Sequence, residues 1–162
     1  MGNLLIKYIY REDNHVDPNF TYLTYGDSDK TKVGLIQNCV EPGSYVFFHT
    51  SYNNKAYITA YFYVERVLTK ERHQPEIHCL RTDSSVDEVV ILGSRERSKI
   101  LTYPLPFDKN AVDNLESLNI DWSKVENGEQ TELQTISNST RMHRQLRDQE
   151  VQWLLNVCRN RG

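Results

Sequence analysis

The sequence predicts an α+β domain with a curved mixed β-sheet or open β-barrel of about five to six strands, short flanking helices and a C-terminal helix. The main reason is a pair of β-rich runs, 45–51 and 56–68, joined by Asn53-Asn54. Asparagine tolerates the left-handed conformation that a tight hairpin needs. Strands and helices do not alternate along the chain, which argues against a doubly wound nucleotide-binding fold. The length, 162 residues, fits a single domain covering 1–162.

The first elements are a strand and a short helix. An apolar, β-rich run predicts a strand over residues 4–10. A polar loop follows, and Asp29 or Thr31 is expected to cap a helix that ends at Cys39. A Pro-Gly turn at 42–43 then leads into the hairpin.

The second hairpin strand has a period-two pattern, which assigns its residues to two faces. The core face is predicted to carry Ala56, Ile58, Ala60, Phe62 and Val64. The other face carries Tyr57, Thr59, Tyr61 and Tyr63. We interpret the tyrosine face as half-buried beneath a helix, with a stacking platform for bases as the alternative. The alternation falters at Glu65, which predicts a bulge.

The remaining elements complete a strand-rich core over residues 4–105. Further strands are expected at 77–80, an edge strand, and at 88–93 and 100–103, the last ended by two prolines. A helix over 108–118 follows, with Asp108 as its cap, and then a polar linker over 123–135. The C-terminal helix is predicted over 137–160, starting at Ser137 or Ser139 and breaking near Arg147.

Charge is unevenly distributed. Residues 137–162 hold five arginines against two acidic residues, a net charge of +3, whereas the remaining 136 residues carry 14 basic and 20 acidic side chains. A basic end on an acidic body suggests an anion-binding face. The alternative is a helix whose arginines match its dipole.

The sequence also bounds location and chemistry. Three widely spaced cysteines, none in a CxxC pair, favour a reducing compartment, and no apolar run is long enough to span a membrane. We therefore expect a cytoplasmic protein with no membrane partner. The motifs of nucleotide-binding loops, nucleophile elbows and zinc proteases are missing, so neither an enzyme nor a cofactor is predicted. A weak Asp13, His15, Asp17 pattern does not raise metal binding above a minor alternative, and no metal site is predicted.

Two groups of polar residues are candidates for binding. His49 follows an apolar run at the end of a predicted strand, a common ligand position, although hydrogen bonding within the hairpin is an equally good interpretation. Residues 137–141 and Arg144 combine hydroxyls, a predicted helix start and guanidinium groups. Such a combination suits phosphate, and simple helix capping is the alternative.

The hairpin EPGSYVFFHTS–KAYITAYFYVERVL, the later segment VVILGSRERSKILTYPLPFDKNAVDNL, STRMHRQL and the loop HVDPNFTYLTYGD resemble PUA-like domains (the PUA, ASCH, EVE and YTH type). They are most similar to a nucleotide-modification-associated branch, although Ser44 stands where many relatives have an aspartate. The resemblance implies recognition of a modified, flipped-out base in DNA or RNA, within a DNA-modification or modification-dependent restriction system. A nuclease or modification enzyme encoded nearby is the implied partner.

Carried onto this chain, the resemblance assigns two sets of residues. The base pocket is expected to comprise Tyr22, Thr24, Tyr25, Asp27, His49, Ser51, Ser139 and Arg141. Phosphates are expected to meet Arg95, Arg97, Lys99, Ser137, Thr140, Arg144 and Arg147. Two other functions stay open: an enzyme acting on a modified nucleotide or nucleoside through His49 and Asp27, and a small-ligand or protein-interaction module that reuses the fold.

Overall fold

The computed structural model describes residues 1–9 and 16–162. Its strands are β1 Asn3–Lys7, β2 Thr24–Asp27, β3 Tyr45–Tyr52, β4 Lys55–Thr69, β5 Val89–Gly93, β6 Lys99–Pro106 and β7 Arg144–Leu146. Its α-helices are α1 Lys30–Cys39, α2 Lys70–His78, α3 Lys109–Val112, α4 Ser123–Glu126, α5 Glu132–Ser139 and α6 Asp148–Cys158. Two 3₁₀-helices, Asp83–Val86 and Glu116–Leu118, lie between them. The α+β class is confirmed.

The seven strands of the described residues form one open mixed sheet, six of them in the order β2-β5-β4-β3-β1-β7 and β6 paired with β4. β1 runs parallel to β3, and the other pairs are antiparallel. β4 is long enough to pair with two strands on the same side. Its C-terminal half pairs with β5, beginning at Val64 with Gly93, and its N-terminal half pairs with β6, ending at Tyr61 with Lys99. The hairpin of β3 and β4 is therefore the centre of the sheet.

β4 bends at two bulges. The predicted one is confirmed, since pairing with β5 skips Glu65 between Val64 and Arg66. A second bulge was missed: the pairing with β3 steps from Ala60 to Ile58, which leaves Thr59 as an extra residue. The extra residue moves the start of the strand to the other face.

The second bulge corrects the predicted core face of β4. Ala60, Phe62 and Val64 lie in one core, with Leu4, Ile6 and Phe48, beneath α1. Ala56 and Ile58 lie in the other core, with Leu5 and Phe47, beneath α3, α5 and α6. All five residues are buried, as predicted, but they do not share one face. The tyrosines at 61 and 63 form a packed aromatic cluster with Tyr45.

Local signals position α1 correctly. The Asp29 side chain accepts hydrogen bonds from the backbone N–H groups of Thr31 and Lys32, which caps the helix at its predicted start. Val33 and Ile36 lie on its buried face. Through this contact α1 covers the end of the sheet near β2, where the candidate site lies.

Several predicted elements between the hairpin and α5 differ from the structure. An edge strand was expected at residues 77–80, but Ile77 and His78 are the last two residues of the kinked helix α2, which buries Ile77. β6 continues through its two prolines to Pro106. The helix predicted over 108–118 is two short pieces, although Asp108 caps the first. The predicted polar linker over 123–135 contains α4 and the start of α5.

The predicted C-terminal helix over 137–160 is wrong in its first half. α5 ends at Ser139, β7 follows, and only α6 is helical beyond the predicted break near Arg147. β2 and β7 were not predicted, and the strand expected at 77–80 does not form, so the described residues contain seven strands where five or six were expected. No helix in the part of the chain that the structure describes is long and apolar enough to cross a membrane.

Candidate functional site

A cavity of about 350 Å³ lies where β1 and β2 end and α1 begins. Four aspartates line it, Asp17, Asp27, Asp29 and Asp87, and we call it the carboxyl cavity. Lys7 and Lys32 contribute to the same wall. Concave sites with a few converging polar groups are typical of small-molecule binding sites.

Asp27 is held as a carboxylate by a compact hydrogen-bond network. Its Oδ2 accepts a 2.7 Å bond from the Tyr25 hydroxyl and lies 3.2 Å from Nε2 of His143. Its Oδ1 accepts from the backbone N–H of Asp29. Burial opposes ionisation of Asp27, but these three bonds outweigh it and keep the pKa of Asp27 below its usual value.

Tyr25 is a wall of the cavity rather than an open stacking face. Its side chain is buried, 7% exposed, with its ring centroid 5.6 Å from that of Phe48 and 5.8 Å from that of His143. Its hydroxyl lies 3.1 Å from Nε2 of His143. Burial, together with the charge of Asp27, raises the pKa of Tyr25. The exposed apolar surface at the cavity belongs instead to Ile9, 64% exposed.

Asp17 and Asp87 form a carboxyl pair that, unlike Asp27, retains a proton. Burial raises the pKa of Asp17 to about 8, and the neighbouring charge of Asp87 and a hydrogen bond with it add to the rise. Both oxygens of Asp17 lie within 3.1 Å of the Gly26 backbone nitrogen. Ser28 donates a 2.8 Å bond to Asp87 Oδ1. At neutral pH the pair therefore holds one proton.

Gly26 makes this packing possible. A Cβ at that position would lie 2.2 Å from Oδ2 of Asp87 and 2.8 Å from its Cβ. Any side chain on residue 26 would therefore displace Asp87 from the pair, so glycine is required here by close approach.

Lys7 connects β1 to α5 at the edge of this region. Its Nζ donates to the Ser137 hydroxyl. Burial, together with the charge of Arg141, lowers the pKa of Lys7. Arg141 is exposed, and its guanidinium bonds the Asn138 side chain at 3.0 Å. Two cations thus lie close to each other near the cavity.

His49 is a core residue, not a residue at the mouth of a pocket. It is 2% exposed, its ring packs 4.7 Å from that of Phe107, and its Nε2 has no hydrogen-bond partner within residues 1–9 and 16–162. Burial, with a smaller contribution from the charge of Lys7, lowers the pKa of His49 to about 3. The imidazole is neutral at physiological pH.

The other predicted base-pocket residues do not all meet at the carboxyl cavity. Tyr22 and Thr24 line a separate cavity of about 590 Å³, together with Arg95. Thr24 is buried and donates to the Thr82 hydroxyl. Ser51 lies at the exposed hairpin end, paired with Ala56.

The helix start expected at residues 137–141 is instead a helix end. The hydroxyls of Ser139 and Thr140 donate to carbonyls one turn earlier, those of Thr135 and Ile136. The Arg144 guanidinium donates to the carbonyls of Ser139, Ser117 and Leu118. A helix end presents carbonyl groups, which attract cations rather than phosphate, so the premise of the phosphate cradle is wrong.

The remaining predicted phosphate ligands lie on other surfaces. Arg97 stacks 3.7 Å above the Tyr63 ring, and Lys99 donates to the carbonyl of Arg159. Arg147 is exposed, with Glu116 at 3.7 Å. Phosphate binding by these side chains stays a prediction.

Larger concave surfaces carry less chemistry. One of them, about 820 Å³, lies between the start of β4, the end of β6 and the start of α5, and its wall includes Phe107 and Ile136. No cluster of histidine, cysteine or acidic residues there or elsewhere in 1–9 and 16–162 could hold a metal ion. Asp13 and His15 lie outside the described residues.

Sequence reasoning missed four residues of the site: Lys7, Asp17 as a proton carrier, Asp87 and His143. Asp17 and Asp87 lie far apart in the chain, and no spacing pattern connects them. The usable signal was Gly26 at the start of a polar segment, since an unexpected glycine in a strand often marks a close approach.

Comparison with protein-family models, with curated proteins and with solved structures finds no match for this chain. The resemblance to PUA-like domains therefore stays a prediction that rests on the residues quoted for it.

Proposed function

We propose that this protein is a PUA-like recognition module that binds a base, modified and turned out of the stack, in DNA or RNA, with the carboxyl cavity as the base site. The observation that carries the proposal is the cavity of about 350 Å³ with an ionised Asp27 and a proton-holding Asp17–Asp87 pair in one wall. A base edge presents hydrogen-bond donors and acceptors side by side. A wall that offers both an acceptor and a donor matches such an edge.

The energetic requirement is that the cavity repays the cost of unstacking a base, a few kcal/mol. Hydrogen bonds to charged groups contribute about 1.5–3 kcal/mol each. Asp27 supplies one such acceptor, and the exposed side chain of Ile9 offers an apolar contact to a ring. Together these contributions are of the size that the extrusion of a base demands.

The cations beside the cavity suit a polyanion. Lys7 and Arg141 lie at one side, and Lys32 lines the wall from α1. We assign phosphate contacts to Arg141 and Lys32. Arg144 is left out of this set, because its guanidinium already bonds three carbonyls inside the protein. An acidic molecule with only local cations favours a short footprint on nucleic acid.

Fluorescence anisotropy with labelled single-stranded and duplex oligonucleotides, with and without modified bases, tests the proposal. Asp27→Asn is expected to weaken binding about tenfold or more, because it removes the charged acceptor. Arg141→Gln is expected to weaken binding to all sequences and to reduce the salt dependence by about one counterion. The matched controls are Asp113→Asn, directly after α3, and Lys124→Gln, on α4. Both residues are exposed, and both variants should leave the affinity unchanged.

No binding to any oligonucleotide at low salt rules the proposal out. Binding that depends on Lys124 as much as on Arg141, with no effect of Asp27→Asn, shows a nonspecific contact elsewhere on the surface.

A second function has one observation in its favour. The pKa of Asp17 is raised and that of Asp27 is lowered, and two carboxyls with opposite shifts in one cavity are typical of acid–base pairs. An enzyme acting on a modified nucleoside would use these two residues, since His49 is buried and its pKa lies near 3. Incubation with modified nucleosides and mass analysis decides: turnover that both Asp17→Asn and Asp27→Asn abolish would establish catalysis.

A further inference from the structure

We propose that the carboxyl cavity selects bases whose Watson–Crick edge carries an amino group next to an unprotonated ring nitrogen, cytosine or adenine, and disfavours the Watson–Crick edges of thymine, uracil and guanine. Asp27 accepts from the exocyclic amine, and the proton of the Asp17–Asp87 pair is donated to the ring nitrogen. The inference rests on the proposed function, because it names the class of base that the same site takes.

The Asp27 carboxylate has a lone-pair site left to accept a hydrogen bond from a ligand. A carboxylate offers about four lone-pair sites. Within residues 1–9 and 16–162 three are used, by the Tyr25 hydroxyl, by His143 and by the backbone N–H of Asp29. Among these described residues, one site on Oδ1 is therefore open to a donor from the cavity. An amine can fill it, whereas a carbonyl oxygen would meet the negative charge.

The Asp17–Asp87 pair supplies the hydrogen-bond donor. The Asp17 and Asp87 carboxyls meet at Gly26, since Asp17 binds its backbone nitrogen and Asp87 fills the place that its Cβ would take. Two carboxyl groups in such contact share one proton. The Gly26 N–H donates to Asp17, and the Ser28 hydroxyl donates to Asp87. These bonds hold both carboxyls in place. A ring nitrogen that enters the cavity competes with the partner carboxylate for the shared proton.

The donor, Asp17, and the acceptor, Asp27, lie next to each other at β2. Gly26 and Asp27 are consecutive residues of β2, and the backbone N–H of Gly26 is bound by Asp17. The Asp17 carboxyl therefore lies at the edge of β2 next to the residue that carries the acceptor. An amine and the adjacent ring nitrogen of a base are likewise neighbours on one edge.

The donor depends on pH. The pKa of Asp17 is about 8, so the pair keeps its proton at neutral pH and loses it as the pH rises through that value. Titratable and charged groups face this pair from three elements and a loop: Lys7 on β1, Tyr25 and Asp27 on β2, Asp29 and Lys32 at α1, and His143 in the loop before β7. Affinity for an amino-bearing base should therefore fall above pH 8, by about tenfold for each further pH unit.

The test uses short single strands that carry one base, cytosine, adenine, thymine or guanine, between abasic spacers. Anisotropy titrations at pH 7 should give at least a tenfold preference for cytosine or adenine over thymine and guanine. The preferred strand should bind more weakly as the pH rises from 7 to 9. Asp17→Asn should keep the preference but flatten the pH profile, because an amide donates without titrating.

The outcomes separate this inference from the proposed function. Equal affinity for the four bases, or a preferred strand whose affinity does not change between pH 7 and pH 9, overturns the inference while nucleic-acid binding stands. A strand that binds no better than one made of spacers alone overturns both. The wild-type pH profile decides even where Asp17→Asn does not fold.

Discussion

Single buried ionisable side chains govern how this protein responds to pH. Asp17 and His49 are both shifted by burial, but in opposite directions relative to their usual pKa values. Between pH 3.8 and about 8, Asp17 keeps a proton in the folded protein that it loses in the unfolded chain. Between about pH 3 and 6.5, His49 stays unprotonated in the folded protein but is protonated in the unfolded chain. The two residues therefore affect stability with opposite signs, and each effect can be isolated by one substitution.

Asp17→Asn is predicted to change the pH dependence of stability. The folded-state pKa, about 8, lies above the usual 3.8, so the contribution of Asp17 is fully present below pH 4 and is lost as the pH rises through 8. Relative to the variant, the wild type should therefore lose about 2 kcal/mol of unfolding free energy between pH 6 and 8. Urea unfolding at several pH values measures this difference, and a difference that does not change with pH contradicts the shared proton.

His49→Leu is predicted to stabilise the protein. The buried Nε2 has no hydrogen-bond partner among the residues described, and such a group costs about 1–3 kcal/mol. Its pKa, about 3, lies below the usual 6.5, so its contribution is present above pH 6.5 and is lost as the pH falls towards 3. The variant should be about 1 kcal/mol more stable at pH 7 and less sensitive to acid. His78→Leu, at an exposed position, is the control, and equal effects at both sites would refute the interpretation.

Elements of the fold position the site through close contacts that a few residues make possible. The edge of β2 carries Asp27 and binds Asp17, and it depends on the absence of a side chain at Gly26. Arg144 joins the end of α5 to the 3₁₀-helix Glu116–Leu118 by donating to carbonyls of both. Within residues 1–9 and 16–162, no other side-chain hydrogen bond connects these two ends. Disrupting either contact is therefore expected to lower the free energy of unfolding.

Gly26→Ala is predicted to destabilise the protein by about 1–3 kcal/mol, because the added methyl group would overlap Asp87. Gly34→Ala is a matched control on α1, where nothing lies within 4 Å of the position that a Cβ would take. That variant should gain about 0.5–1 kcal/mol, since alanine favours a helix over glycine. Thermal or urea unfolding of both variants measures the contrast, which a similar change at both positions would contradict.

Arg144→Met is predicted to lower the unfolding free energy by about 2 kcal/mol, since it leaves three carbonyls without a charged donor. Arg95→Met, at an exposed position, should change it by less than about 0.5 kcal/mol. The same pair tests the predicted phosphate role of Arg144. Equal stability of the two variants, with weaker oligonucleotide binding only for Arg144→Met, would favour phosphate contact over a structural role.

The whole molecule explains which parts of the fold were predictable from sequence. The hairpin, α1 and the bulge at Glu65 follow from local signals: left-handed asparagines, a capping aspartate and broken alternation. The serine and threonine run at 137–140 was ambiguous, because hydroxyls can cap a helix start or bond to carbonyls near its end. The sequence favoured the first and the structure has the second.

The candidate site was only half predictable, because its other half depends on contacts between distant segments. Tyr25 and Asp27 were predicted and lie at the carboxyl cavity. His143 and Asp87 reach them only through the order of strands in the sheet, which places β5 beside β2 and β7 beside β1. A pairing of this kind has no local sequence pattern.

The most direct test of the central claim is an NMR titration of the ¹⁵N-labelled protein with a short single strand that carries one base between abasic spacers. If the carboxyl cavity is the base site, the backbone amide of Gly26, which donates to Asp17, should show the largest shift change, together with that of Asp27. A spacer-only strand should leave both unchanged. Shift changes confined to residues around Arg95 and Tyr22, or equal changes with the spacer-only strand, would contradict the account.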